Sequence, residues 1–203
     1  MSNRMRAAYA VVPVLLVAAA TGAAQGSRYY FGVGGGLTVP TGEFATDANG
    51  DGFKTGWQGM ALVHFALPRF GVRLEATYGE NSANDQLKAD LSAAVGAPTD
   101  AKTKLLGGSV DLTYEFPTWY RAKAYVLTGI GVYNTKLSVT SGNVTADTSK
   151  TKLALNAGIG VVADVGSAVL FLEVRYFAIS EPFGFGSDVK YFPIIAGLRF
   201  GGR

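Results

Sequence analysis

The chain has 203 residues, no cysteine, 48% hydrophobic and 16% charged residues, 27 glycines and a formal net charge of +3, rich in glycine and poor in charge for a water-soluble domain. Without cysteine there is neither a disulfide framework nor a thiolate metal site. Part of the positive excess sits on Arg4 and Arg6 at the N-terminus, and no basic patch of the kind that nucleic-acid binding needs is present.

In chain order, Arg4 and Arg6 precede an apolar run over 7–20 that ends in small residues through Gly22-Ala23-Ala24. This order predicts a cleavable signal peptide over 1–24 and one domain over 25–203. The run is too short for a spanning helix and contains Pro13.

The rest is written in period two. A first strand over 29–39 puts Phe31, Val33, Gly35 and Leu37 on one face and Tyr30, Gly32, Gly34, Gly36 and Thr38 on the other. A second over 55–67 turns Trp57, Ala61, Val63 and Phe65 outward and Gln58, Met60, Leu62 and His64 inward. After Pro68-Arg69-Phe70-Gly71, a third alternates Val72, Leu74, Ala76 and Tyr78 with Arg73, Glu75 and Thr77. The fourth, 104–116, is the clearest, with Val110, Leu112, Tyr114 and Phe116 against Ser109, Asp111, Thr113 and Glu115. The fifth, 123–137, sets Val126, Ile130 and Val132 opposite Tyr125, Leu127, Gly129, Gly131 and Tyr133. The sixth, 151–165, sets Ala157, Ile159, Val161 and Val165 against Asn156, Gly158, Gly160 and Asp164, and Gly166-Ser167 then makes a hairpin. The seventh, 168–179, shows Leu170, Leu172, Val174 and Tyr176 against Glu173 and Arg175, and the eighth, 188–200, shows Ile194, Ala196, Leu198 and Phe200 against Ile195, Gly197 and Arg199.

No helical pattern is long enough to cover the apolar face of such a sheet, so the fold expected is all-β: an eight-stranded antiparallel up-and-down barrel with lipid outside and polar residues inside. The links alternate in length: long (40–54), short (68–71), long (80–103), short (117–122), long (138–150), short (166–167) and medium (180–187). That is the rhythm of a transmembrane barrel with short periplasmic turns and longer extracellular loops, which sets both termini in the periplasm. Aromatic residues gather at the strand ends, Phe116, Trp119, Tyr120 and Phe200 with Tyr29, Phe65 and Phe70 at the turn end, and Trp57, Tyr78, Tyr133 and Tyr176 with Phe183, Phe185 and Tyr191 at the loop end. They are expected to form two interfacial girdles.

With its leader, eight dyad-repeat strands, alternating loop lengths and last strand Tyr191 to Phe200 ending in an aromatic residue, the chain resembles the small outer-membrane β-barrel proteins of the OmpA/OmpX-like group. The resemblance implies location in the outer membrane of a Gram-negative envelope, insertion by the barrel-assembly machinery, lipid as the surrounding partner, a monomer and no cofactor. Two departures from that group are expected: a barrel without a peptidoglycan-binding domain after it, and a last strand whose Phe200 is followed by Gly201-Gly202-Arg203.

A lysine or arginine facing lipid near the midplane costs about 2–4 kcal/mol, and slipping a strand by one residue turns its inner set outward. His64, Arg73, Glu75, Asp111, Glu115, Asp164, Glu173, Arg175 and Arg199 are therefore expected to face inward as an ionic network. Strand heights suggest Arg73 near Glu115 at the turn end, with His64, Asp164 and Arg199, and Glu75, Asp111, Glu173 and Arg175 one layer higher. An eight-stranded lumen is just wide enough for side chains. The inward glycines at 32, 34, 36, 129, 131, 158 and 160 then either make room for long side chains or mark bulges.

Other patterns bear on chemistry. His64 has no Ser or Asp two residues away, so a hydrolytic triad would need Ser109 or another distant strand, and a lumen histidine without catalytic role is expected. Asp47, Asn49 and Asp51 match the opening of a calcium loop, but its twelfth position is Gln58 in place of a bidentate glutamate, so no metal site is assigned. Residues 82–95 space Leu87, Leu91 and Val95 by four, which suggests a short helix over the barrel mouth. Asn143-Val144-Thr145 fits a glycosylation acceptor by pattern only.

The expectation is a non-enzymatic barrel with a structural and surface-contact role, its outside loops meeting an extracellular partner. The alternatives are a passive transport barrel for apolar or small solutes, suggested by inward Met60, Leu62, Leu127 and Ile195, and a lipid-modifying enzyme.

Overall fold

The computed structural model describes residues 28–45, 52–117, 122–180 and 189–201. The signal segment, the calcium-like Asp47, Asn49 and Asp51, and the aromatic residues Trp119, Tyr120, Phe183 and Phe185 lie outside the described residues.

The strands are β1 (Arg28–Thr41), β2 (Gly56–Ala66), β3 (Phe70–Ser82), β4 (Thr99–Glu115), β5 (Ala122–Ser141), β6 (Val144–Val165), β7 (Ala168–Ile179) and β8 (Val189–Gly201). Each pairs antiparallel with its neighbours in sequence, and β1 pairs with β8, so the sheet closes into a barrel. Closure leaves the barrel wall without free edges, the condition for crossing hydrocarbon with strands. The alternation of side chains is the driving pattern. In β7, Phe171, Glu173, Arg175, Phe177 and Ile179 are buried while Leu170, Leu172, Val174 and Tyr176 are exposed. Ile130 and Ile159 on the outer wall are 61% and 65% exposed, whereas Arg73 and Arg175 inside are 2% and 1% exposed. A soluble domain has the opposite arrangement.

Pro193 interrupts this ladder. Pairing between β7 and β8 runs from Ala168↔Phe200 to Val174↔Ile194 and resumes at Phe177↔Tyr191, leaving out Arg175 and Tyr176. Proline has no N–H to donate, and the Tyr176 and Phe192 rings, 5.4 Å apart, stand outside the gap.

One connection differs from the expected loops, and another holds the short helix expected over 82–95. Residues 138–150 are not a loop: β5 and β6 run on through them to a two-residue turn at Gly142-Asn143, with Gly142 at φ 57°. The second long loop contains α1 (Asp85–Val95), whose Asn84 side chain accepts from the Leu87 N–H and whose end is set by Gly96 at φ 76°. None of its residues is buried.

The chain after β1 forms a short 3-10 turn (Gly42–Phe44) that carries Phe44 into the barrel mouth. A cap then ties the first two loops together: Phe53 bridges Ala83, the Asn84 N–H donates to the Gly52 carbonyl at 3.0 Å, and the Lys54 N–H donates to the Ser82 carbonyl at 2.8 Å.

Candidate functional site: the filled lumen and the projecting sheet

From the turn end upward, the lumen is filled in four layers. The lowest holds His64, Arg199, Tyr30 and Thr113. His64 Nδ1 lies 2.8 Å from Arg199 Nη1, and because a guanidinium only donates, Nδ1 is the acceptor. Nε2 therefore carries the hydrogen and donates to Thr113 Oγ1 at 3.0 Å. A hydroxyl facing an imidazole resembles half a triad, but a ring nitrogen that already holds its proton cannot take one from the hydroxyl. The Arg199 guanidinium lies 5.2 Å from the centre of the Tyr30 ring. Gly71 lacks a Cβ here for a steric reason, since one would run into His64 Nε2 and Thr113 Oγ1.

Above it, Met60, Leu62, Tyr125, Leu127, Val162, Phe171 and Ile195 form one buried apolar cluster. The inward apolar residues that suggested a solute passage thus pack against one another.

The third layer is ionic. Arg73 reaches across the axis, with Nη1 2.9 Å from Glu173 Oε2 and Nε 3.4 Å from Asp111 and 3.6 Å from Glu75. Arg175 meets Glu75 through Nη2 at 2.6 Å and Nη1 at 3.1 Å, bonds Glu173 closely, and has Asp111 at 3.7 Å. Neutral donors complete the acceptors. Tyr125 donates to Glu173 at 2.6 Å, Thr77 to Glu75 at 2.9 Å and Asn156 to Asp111 at 2.9 Å. Three carboxylates face two guanidiniums, so these neutral donors carry part of the load that a third cation would.

The fourth layer is a plug of Phe44, Tyr133, Phe177 and Tyr191 with Ala154, Ile179 and Val189. The Tyr133 and Phe177 rings are 5.0 Å apart, and those of Phe177 and Tyr191 5.2 Å.

Several placements differ from the sequence reading. Arg73 does not pair with Glu115 at the turn end; its guanidinium extends into the layer of Glu75, Asp111 and Glu173. Glu115 is half-buried beside the turn and meets Lys123 at 3.5 Å and Arg199 at 3.7 Å. Asp164 stays outside the network: it lies next to the Gly166-Ser167 turn, is exposed, and has no ion pair among the described residues. Of the aromatic residues, Trp57, Tyr78, Phe116, Tyr176 and Phe200 are exposed on the outer wall. Tyr133 and Tyr191 are instead buried inside at 0% and 3% exposure, because they share the parity of their strands' inner residues. Tyr125, Asn156 and Thr77 are network members that sequence reasoning left unassigned, although parity alone puts them on inner faces.

At the helix end the wall is uneven. Among the described residues, β6 pairs with β7 only from Ala154↔Ile179 onward, while its residues 144–153 pair with β5 alone. Strand β4 joins β5 from Thr99↔Ser141. A three-stranded sheet thus projects beyond the barrel, and residues 144–151 are exposed on both faces.

Fold and lumen together define a transmembrane β-barrel of the outer-membrane type. The outer membrane protein beta-barrel domain family matches residues 10–192, and the chain belongs to that family. Among solved structures it is similar to Neisserial surface protein A, with 19% identity, a TM-score of 0.57, and coverage of 87% of this chain and 99% of that one. It is also similar to Ail, the attachment invasion locus protein of Yersinia pestis, solved with the heparin analogue sucrose octasulfate, at 16% identity, TM-score 0.55, and 86% and 99% coverage. A major outer membrane protein of Thermus thermophilus matches at 12% identity, TM-score 0.56, and 86% and 99% coverage. No curated protein matches.

Proposed function

We propose that this barrel is a non-enzymatic envelope protein whose body is a plugged structural element and whose contact surface is the projecting β4–β5–β6 sheet. The observation that carries the reading is the outer edge of β6. Over residues 144–153 its backbone faces no described strand, and an exposed ladder edge offers N–H and C=O groups to an extended segment of a partner protein. Residues 1–24 then act as an export signal, the projecting sheet lies outside the cell, the termini lie in the periplasm, and the monomer is inserted by the barrel-assembly machinery.

The test separates the edge from the barrel. Counted from the two-residue turn, the Ser149 N–H points to the open edge, so Ser149→Pro removes an edge donor without touching the β5 ladder. Cells displaying this variant should keep the folded barrel and lose adherence to protein-coated surfaces. Adherence equal to the parent would overturn the reading.

A further inference from the structure

A small cavity borders the plug at Phe44, with a volume of about 20 Å³. Its lining includes Thr38, Gln58, Asn81, Thr135 and Tyr191. Two of these are already satisfied: Thr38 Oγ1 donates to Asn81 Oδ1 at 3.0 Å, and Asn81 Nδ2 donates to the Lys54 carbonyl at 2.9 Å. Three are not. Gln58 Oε1, Thr135 Oγ1 and the Tyr191 hydroxyl are buried without a hydrogen-bond partner, on residues only 3–4% exposed. The three residues come from β2, β5 and β8, three separate walls of the barrel, and all three line this cavity.

A buried polar atom without a partner costs about 1–3 kcal/mol, and three around one cavity is an improbable way to build a dry plug. A cavity needs roughly 10–15 Å³ of this kind of volume to hold a water molecule, which then wants two to four polar partners. The volume meets the first condition, and the three unsatisfied oxygens on lining residues supply partners for the second. No carboxylate lines the cavity, so the oxygens there do not favour a cation. We infer that the cavity is a binding site for one ordered water, which donates to Gln58 Oε1 and Thr135 Oγ1 and accepts from the Tyr191 O–H. The water joins three strands across the lumen beside Phe44.

The experiment uses the full mature chain in nanodiscs and in crystals. A density peak about 2.7–3.2 Å from the three oxygens, with a water cross-peak to the Thr135 hydroxyl in NMR, is the expected result. Tyr191→Phe should lower the melting temperature by about 2–4 °C, since the water loses a donor. The triple variant Gln58→Met, Thr135→Val, Tyr191→Phe should abolish the cross-peak and leave the melting temperature near that of the parent. A rise in melting temperature on Tyr191→Phe alone, or no density and no cross-peak in the parent, would show a dry cavity and overturn the inference.

Discussion

Arg73 on β3 and Glu173 on β7 meet at 2.9 Å across the barrel axis, 100 residues apart in sequence. The contact closes the sheet from inside, because each partner is held by a third residue on a different strand, Asp111 for Arg73 and Tyr125 for Glu173. Its value is therefore conditional: a buried pair that is intact contributes little over an apolar replacement, but a buried charge left alone is costly.

That asymmetry fixes which substitution hurts. Arg175→Gln leaves Glu75 and Glu173 facing a single guanidinium and should destabilise the barrel by about 3–5 kcal/mol. Asp111→Asn removes the surplus carboxylate, whose two arginine contacts are long at 3.4 and 3.7 Å. The new amide oxygen can still face the arginines, while its NH2 donates to Asn156 Oδ1, otherwise unpartnered among the described residues, once the Asn156 amide turns. Its cost should stay below about 1 kcal/mol. Reversible urea unfolding of the barrel in lipid vesicles measures both, and equal costs would contradict this account of the charge balance.

The lumen glycines give a second test. A Cβ at Gly158 would lie 2.6 Å from the Val174 carbonyl oxygen and 2.8 Å from Arg175 Cγ, and one at Gly129 would run into Asp111. These glycines make room for the ion network. At Gly59, on the outer wall, the nearest atom would be 3.9 Å away. Gly158→Ala should cost about 1–3 kcal/mol through overpacking, and Gly59→Ala should be neutral or stabilise by up to about 1 kcal/mol through the unfolded chain. The same unfolding measurement ranks them.

The dyad was legible in the sequence because lipid outside and ions inside give every spanning strand a strong contrast between its faces. Where that contrast ends, so does the signal. Residues 138–150 extend β5 and β6, but both faces meet water there, and threonine and serine on either side read as a loop. Tyr133 shows a different failure. It sits near the end of its run, where girdle residues gather, but its parity with Leu127, Gly129 and Gly131 decides its direction. The height of Arg73 could not be read from its backbone row, since a long side chain climbs a full layer to find two carboxylates. Asp164 has inward parity and yet needs no partner, because the adjacent turn exposes it to water.

The cap has its own pH signature. Lys54 Nζ, hydrogen-bonded to Asp85 at 2.8 Å, holds that carboxyl below its ordinary value. A carboxyl with a lowered folded pKa supports the folded state above its unfolded value, near pH 4, and loses that support as pH falls through the folded one. Amide exchange at Ala83 and Asn84, whose N–H groups bond Ala101 and Gly52, should therefore quicken below about pH 4 relative to the barrel strands. Lys54→Gln should remove this pH step, and high salt should weaken it because the pair is exposed.

His64 offers the sharpest spectroscopic check, since its state follows from geometry alone. Arg199 presents only donors to Nδ1, so that nitrogen must be bare, and Thr113 must accept from Nε2–H. Nitrogen-15 spectra of the barrel in lipid at neutral pH should show one pyridine-type Nδ1 and one pyrrole-type Nε2. Arg199→Gln replaces the obligate donor by an amide that can turn either way, so the tautomers should mix. A pyrrole-type Nδ1 in the parent would mean that Arg199 does not face the ring, and the lowest layer of the lumen would have to be rebuilt around a different partner.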